Sequence, residues 1–410
     1  MATMKRKEFP YWIKTVLIFF LGWVVIYAGR AVLGPVMPQI QTEYGLSQSQ
    51  LGLIGSLFFL AYTLLQIPAG LLGDRLGRKR ILVSGFMLFA VFIAAISISS
   101  YFMIFIVLWM LIGAAQGVYY GPQYALSSEA IPQKWITLGS AVIGSGMSFG
   151  IALGYYLSSV MVDQFKTSWK MPFLAMAVPV VIVTLLMVVF IREKVPQQQV
   201  VSKEEVPAAA ESEFRFFDLF KNRNLLMAYI TIFCSIYGFF VIITWLPYYL
   251  QKERGMDIVH AAGIASIVPW ISVLGTLICS YISDKIGRRK PVVLWMLPFS
   301  LLAIFGIVYS TSEAALIAVL VLYGFIGKIS LNPVLIALVS DNAPRKALSS
   351  AFSLYNFFGM AASIFAPYLT GLIADSTGSL NAGFYFAGLI TIIGFIAMLF
   401  VREGKPSQTA

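Results

Sequence analysis

Twelve apolar stretches divide this chain, and their length leaves few folds open. They are read at 14–38, 50–72, 81–100, 103–126, 137–160 and 171–191, then at 224–250, 260–282, 291–310, 314–340, 349–373 and 382–401. A helix rises about 1.5 Å per residue, so ~20 residues cross a hydrocarbon layer with every backbone group bonded inside the helix. The chain is 59% hydrophobic and 11% charged, with a mean hydropathy of +0.84. A soluble domain carries about 25% charge, so polar surface is too scarce here to wrap one core in water. The expected fold is an all-α membrane protein, with twelve transmembrane helices in two six-helix bundles related by pseudo-twofold symmetry. Residues 16–36 follow Lys5, Arg6 and Lys7 without a small-residue cleavage site. They read as the first span, not as a cleaved signal peptide.

Between the two sets the composition turns polar, with Pro196, Gln197-Gln198-Gln199, Pro207, Ala208-Ala209-Ala210 and several glutamates. Residues 193–223 are therefore expected to be a cytoplasmic linker between bundles at 1–192 and 224–410. Phe214 to Lys221 sets aromatics between charges and suits either a short surface helix or a plain continuation of the linker. Placing both termini and the linker in the cytoplasm leaves only Lys166, Lys170, Lys252 and Arg254 on the outer side, and only Arg30 and Lys328 inside spans. Basic residues retained on the cytoplasmic side are the usual mark of orientation. The net charge of +11 is thus topology and not a footprint for nucleic acid. The expected location is the cell membrane, multi-pass, and the expected state is a monomer in the lipid bilayer.

One short pattern occurs twice. Gly70-Leu-Leu-Gly-Asp74-Arg75-Leu-Gly77-Arg78-Lys79 follows the second span, and Ser280-Tyr-Ile-Ser-Asp284-Lys285-Ile-Gly287-Arg288-Arg289 follows the eighth. The positive-inside rule explains the basic residues but not the repeated order of acid, base, glycine and two bases. Duplication of a six-span unit explains both. Glycine permits the tight turn. The aspartate can accept from an arginine or a helix N-terminus, and the bases can pair across a cytoplasmic seam. The pattern therefore reads as a conformational latch.

The chemistry of the spans is cationic. None of the 18 acids falls in mid-span, whereas Arg30 lies in the first span and Lys328 in the tenth. A charge at a helix centre costs roughly 2.5–3.5 kcal/mol or more, so such residues mark function or pairing. Arg30 offers a planar fork matched to carboxylate or phosphate, and Lys328 a point charge among Gly324, Gly327 and Ser330. One cation from each half suits an anion that both halves engage. Snorkelling of Arg30 to headgroups and bonding of Lys328 to carbonyls are the bland readings. Tyr27, Tyr119, Tyr120, Gln123 and Tyr124, with Asn332, Tyr355 and Asn356, are further substrate candidates. Helix-to-helix packing is the alternative for each. The fifth span carries Gly144, Gly146, Gly150 and Gly154, and its glycines at spacing four suit close helix packing, with a hinge as the alternative. Trp245-Leu-Pro247 suits a helix end, an outer gate or an interfacial anchor. Cys234 and Cys279 lie in apolar runs and His260 is the single histidine, so no metal site, disulfide framework or cofactor is expected. No nucleophile–base pair or phosphate loop points to an enzyme.

The segment 70–79 resembles the loop signature of the major facilitator superfamily, Gly-x-x-x-Asp-Arg-x-Gly-Arg-Lys; the second copy departs at Ser280. The resemblance extends over nearly the whole chain. Within the superfamily, Tyr27-Ala-Gly-Arg30 through Pro38, Phe58 through Gly70, and Trp245-Leu-Pro247-Tyr-Tyr249-Leu are similar to the anion:cation symporters. Organophosphate exchangers are more distantly similar through Tyr-x-x-Arg. In both families that arginine contacts the anion. This chain has Gly29 where those symporters usually carry aspartate, Gln116 where they often carry glutamate, and Trp109 where arginine is common. The family's coupling acids are absent. The resemblance thus implies a secondary transporter of a small organic anion, carboxylate or phosphorylated, by exchange or uniport at least as readily as by proton symport. A multidrug exporter and a non-transporting receptor are the competing readings. The exporter predicts flux that survives loss of Arg30, and the receptor predicts binding without flux.

Overall fold

The twelve apolar stretches are twelve helical spans, and no strand occurs among the described residues. In this computed structural model, which describes residues 10–132, 135–193, 218–344 and 348–403, the first six spans are Tyr11–Tyr44, Gln48–Gly70, Arg78–Ile98, Phe102–Ala130, Leu138–Asp163 and Met171–Phe190. The second six are Arg223–Lys252, Ile258–Ile286, Lys290–Tyr309, Glu313–Asn342, Ala351–Thr377 and Asn381–Leu399. Several run a few residues beyond the apolar stretch, because a helix continues through polar turns that the hydrocarbon does not need. Met103 is 72% exposed, Val189 68% and Val91 61%. Side chains this apolar turned outward in rows belong against lipid, and the chain is a multi-pass membrane protein. The linker lies outside the described residues over 194–217; Asp218–Lys221 is a single helical turn.

Four spans that read as continuous in sequence are interrupted, among them the eighth, at Ser266 between Ile258–Ala265 and Ile267–Ile286. The first is a helix Tyr11–Ala31 followed by Leu33–Tyr44, and the fourth is Phe102–Gly117 followed by Tyr120–Ala130. Proline accounts for both. Pro35 has no N–H for the carbonyl of Ala31, and Pro122 has none for that of Val118. The tenth span breaks at Gly327, which is extended at φ −70° and ψ −167° between Glu313–Ile326 and Lys328–Asn342. This break removes the helical donors of three carbonyls, which would be untenable in hydrocarbon unless replaced. Ser330 Oγ donates to Gly324 O at 3.2 Å, Ser300 Oγ to Ile326 O at 3.2 Å, and Cys279 Sγ to Phe325 O at 3.8 Å. The interruption is therefore built into the packing. Gly117 and Gly327, where the fourth and tenth spans break, stand 210 residues apart, the same interval that separates the two loop motifs.

Contacts group into two compact units. One comprises Met1–Arg30, Leu60–Gly154 and Lys170–Ser202; the other comprises Ala31–Phe59, Tyr155–Trp169 and Lys203–Ala410. In the second unit the ends of the first, second and fifth spans pack on the seventh and eleventh. A Cβ on Gly52 would lie 2.2 Å from the Pro367 carbonyl oxygen, so only glycine lets the second and eleventh spans approach this closely. The Tyr368 N–H donates to Ser56 Oγ at 3.2 Å, Tyr248 Oη to Gln41 Oε1 at 2.6 Å, and Gln251 Nε2 to Pro35 O at 2.9 Å. The seventh span runs straight through Pro247 to Lys252, and Trp245 is fully buried with its Nε1 donating to Pro367 O at 3.1 Å. The helix-end and interfacial-anchor readings of Trp245 are thereby corrected; the neighbouring helix supplies an acceptor that an interface would otherwise provide.

The Asp375 carboxylate accepts the backbone N–H groups of Gln48 and Ser49, both at 2.8 Å, and so caps the second span from the eleventh. Asp375→Ala is expected to lower stability by about 1 kcal/mol, as loss of an exposed cap does. Thermal unfolding of detergent-solubilised protein measures this, and an unchanged midpoint would show the cap to be idle.

Candidate functional site

Arg30 closes the last turn of the helix Tyr11–Ala31, where the helix dipole favours a cation. Its guanidinium lies 4.8 Å from the ring centroid of Tyr27, on its own helix, and 4.6 Å from that of Tyr62 on the second span. Its Nε donates to Gln116 Oε1 of the fourth span at 2.7 Å. Aromatic faces attract the cation by ~0.5–2 kcal/mol each, and a charged hydrogen bond adds about 1.5–3 kcal/mol. The side chain is half-buried and turned onto the second and fourth spans. Three spans thus fix one planar cation, and all its neighbours named here are neutral.

Small residues make this approach possible. A Cβ on Gly117, beside Gln116, would lie 2.4 Å from the Tyr62 carbonyl oxygen. A Cβ on Gly150 of the fifth span would lie 2.4 Å from Val24 O and 2.8 Å from Tyr27 Cβ, and one on Gly146 2.5 Å from Phe20 O. Gly146 and Gly150 therefore seat the first span, as their spacing suggested. Gly29 has the Phe89 ring of the third span 2.8 Å from its virtual Cβ. The space that an acidic side chain would need beside Arg30 is filled by an aromatic ring. Trp109 packs on Phe105 and Phe173.

The tyrosine strip of the fourth span divides by burial. Tyr119 is fully buried and donates its hydroxyl to Phe19 O at 2.9 Å; its ring meets Trp23 edge-on at 5.0 Å. Gln123 is committed at both ends, accepting from Trp23 Nε1 at 3.2 Å and donating to Ser127 Oγ at 3.2 Å. These two residues hold helices together. Tyr120 and Tyr124 pair with ring centroids 4.8 Å apart and keep substantial exposure.

Lys328 belongs to the second unit and opens the helix that follows the break at Gly327. Its ammonium stands 5.3 Å from the Phe239 ring centroid of the seventh span. Tyr355 donates to Asn332 Oδ1 at 2.9 Å, tying the tenth span to the eleventh, and Asn356 is the next residue along. Phe239 and Tyr62 are contacts that sequence reasoning did not single out as site residues. An aromatic residue in an apolar span carries no signal until a cation is seen over its face.

The two loop motifs have matched surroundings, each in its own unit. Gly77 adopts φ +104° and Gly287 φ +65°, conformations that favour glycine. Arg78 pairs with Glu129, and Glu193 accepts the Lys79 N–H at 3.2 Å. In the second copy Glu403 accepts the Arg289 and Lys290 N–H groups at 2.7 and 2.8 Å and pairs with Arg288 at 3.8 Å. Arg289 reaches Asp284 at 2.6 Å and Asp341 at 3.2 Å. Burial works against its charge, and those two acids outweigh it, leaving its pKa above the ordinary arginine value. Glu193 and Glu403 extend the repeat beyond the motif and again stand 210 residues apart. Gly70 and Arg75 lie in the helix Gln48–Leu76 and Lys285 in the helix Ile267–Ile286, whereas the side chain of Asp74 lies outside the described ones.

The family model of the Major Facilitator Superfamily matches residues 19–273 and 259–410. Among curated proteins, the chain is 28% identical to a hexuronate transporter of Bacillus subtilis (strain 168), over 96% of each chain. It is 25% identical to a probable galactarate/D-glucarate transporter of the same organism, over 94% of this chain and 90% of that one. Among solved structures, the nucleoside transporter NupG superposes with a TM-score of 0.76 at 15% identity, over 96% of this chain and 100% of that one, a likeness of fold.

Proposed function

We propose that this chain, which belongs to the Major Facilitator Superfamily, moves a small organic anion bearing a carboxylate or phosphate by alternating access. It is a membrane transporter and not an enzyme. The observation that carries the proposal is the Arg30 guanidinium inside a span, flanked by Tyr27 and Tyr62 and held by a neutral acceptor. A planar cation oriented by two aromatic faces and an amide oxygen suits a substrate that brings its own negative charge. Lys328 is the second cation offered to substrate, with Asn332, Tyr355 and Asn356 nearby in sequence or space. Hexuronate and galactarate transporters among the relatives favour a sugar-sized carboxylate. Exchange, uniport or symport with a proton are all compatible with this chemistry. The two loop motifs serve as cytoplasmic latches, and the protein acts as a monomer in the cell membrane with both termini inside.

The test is a thermal-shift panel of hexuronates, aldarates and phosphate esters on purified protein, with Arg30→Gln and Lys328→Gln beside the wild type. At least one acid is expected to stabilise the wild type, and Arg30→Gln is expected to weaken it about 100-fold, the loss of ~3 kcal/mol of charged hydrogen bonding. If no acid binds, or if neutralised protein binds equally well and still moves lipophilic dyes, the multidrug reading replaces this one.

A further inference from the structure

The orientation of the Gln116 amide is fixed by chemistry. Arg30 Nε can only donate, so the Gln116 atom 2.7 Å away is its oxygen. The amide nitrogen is therefore the other arm of the same group, turned away from Nε. Gln116 is 1% exposed, and its Nε2 is buried with no hydrogen-bond partner among the described residues. A buried donor left unmade is costly, so native proteins seldom keep one without a use. Here it sits beside a cation already assigned to substrate.

We propose that Gln116 is a substrate-contacting residue that sets how anion binding responds to pH. Its Oε1 positions Arg30, and its Nε2 donates to an oxygen of the organic oxyanion bound there. This rests on the reading of Arg30 as the anion site. An amide supplies that donor without adding charge. A carboxylate at the same place would pair with Arg30, repel the substrate and take up a proton before an anion could enter. The ionisable side chains grouped with Arg30 and Gln116 are Tyr27 of the first span, Tyr62 of the second, and Tyr120 and Tyr124 of the fourth. The third and fifth spans bring Phe89 and Gly150. None of the groups named here is a carboxylate or an imidazole.

Affinity for D-glucarate, for a hexuronate and for inorganic phosphate is measured from pH 5 to 8 with wild type, Gln116→Glu and Gln116→Met. The wild type is expected to hold one of these acids with less than threefold change across the range. Gln116→Met, of similar shape, is expected to bind it about 10-fold more weakly with an equally flat profile. Gln116→Glu is expected to lose at least 10-fold at pH 8 and to regain affinity as the pH falls to 5. The melting temperature of each unliganded variant reports whether it has folded, and Gln116→Met keeps the test decisive if the glutamate does not. Wild-type affinity in Gln116→Met, or a flat profile in folded Gln116→Glu, overturns the proposal while leaving Arg30 as the anion site. Absence of binding to the wild type itself overturns the anion-site reading beneath it.

Discussion

Arg30→Lys is expected to lose anion affinity by about 30-fold, not far short of Arg30→Gln, although it keeps the positive charge. The reason is geometric. Arginine uses Nε to hold Gln116 at 2.7 Å and its flat faces to meet Tyr27 and Tyr62 at 4.8 and 4.6 Å. Its terminal nitrogens form the fork that carboxylates and phosphates match. Lysine has one compact ammonium for all of these tasks. If that ammonium turns to Gln116 it is poorly aimed at the anion, and if it turns to the anion it gives up its orientation. Stacking between two tyrosines also favours a planar, weakly hydrated cation over an ammonium. Titration of the best acid from the panel measures the loss. An Arg30→Lys protein that bound normally would mean that only net charge matters, and that Tyr27, Tyr62 and Gln116 are packing.

Gly117→Val is expected to destabilise the protein by at least ~2 kcal/mol and to abolish anion binding together. Overpacking is tolerated where the obstacle is a mobile side chain. Here the obstacle is backbone: the virtual Cβ lies 2.4 Å from Tyr62 O and 3.2 Å from Tyr62 C. The fourth span must move away from the second, and it carries Gln116 with it while Tyr62 leaves the Arg30 face. The control is Gly144→Val. Nothing lies within 4 Å of the Gly144 Cβ position, and that variant should melt and bind as the wild type does. The pair separates close approach from helix propensity, since both substitutions put a β-branched residue into a span. Equal behaviour of the two in thermal unfolding and in binding would overturn the assignment of Gly117 to this contact.

Much of this protein is legible in its residue order. Hydrocarbon thickness sets the length of a span, so twelve stretches of the right length can be counted along the chain. Charges are costly in lipid, so Arg30 and Lys328 stand out as soon as the spans are drawn. Duplication left the pattern at 70–79 and 280–289. The breaks in spans one and four are legible in principle through Pro35 and Pro122. The tenth span carries no such mark, because its interruption depends on Ser300 and Cys279, donors from other helices.

What the chain determined by itself was its solvent, its number of spans and the residues for which lipid is a costly place. All of these follow from the transfer free energy of each side chain, a local property. Only the tertiary structure decided which neutral groups surround each cation. Gln116 is 86 positions from Arg30, and Phe239 is as remote from Lys328. Only packing put Tyr119 and Gln123 to work between helices, and only packing placed Glu193 and Glu403 against the loop motifs. Hydrogen bonds and ring contacts act over a few ångströms. Residues far apart in the chain come within that range only after helices have packed, and the small residues that permit the packing, such as Gly117 and Gly150, reveal their partners only then.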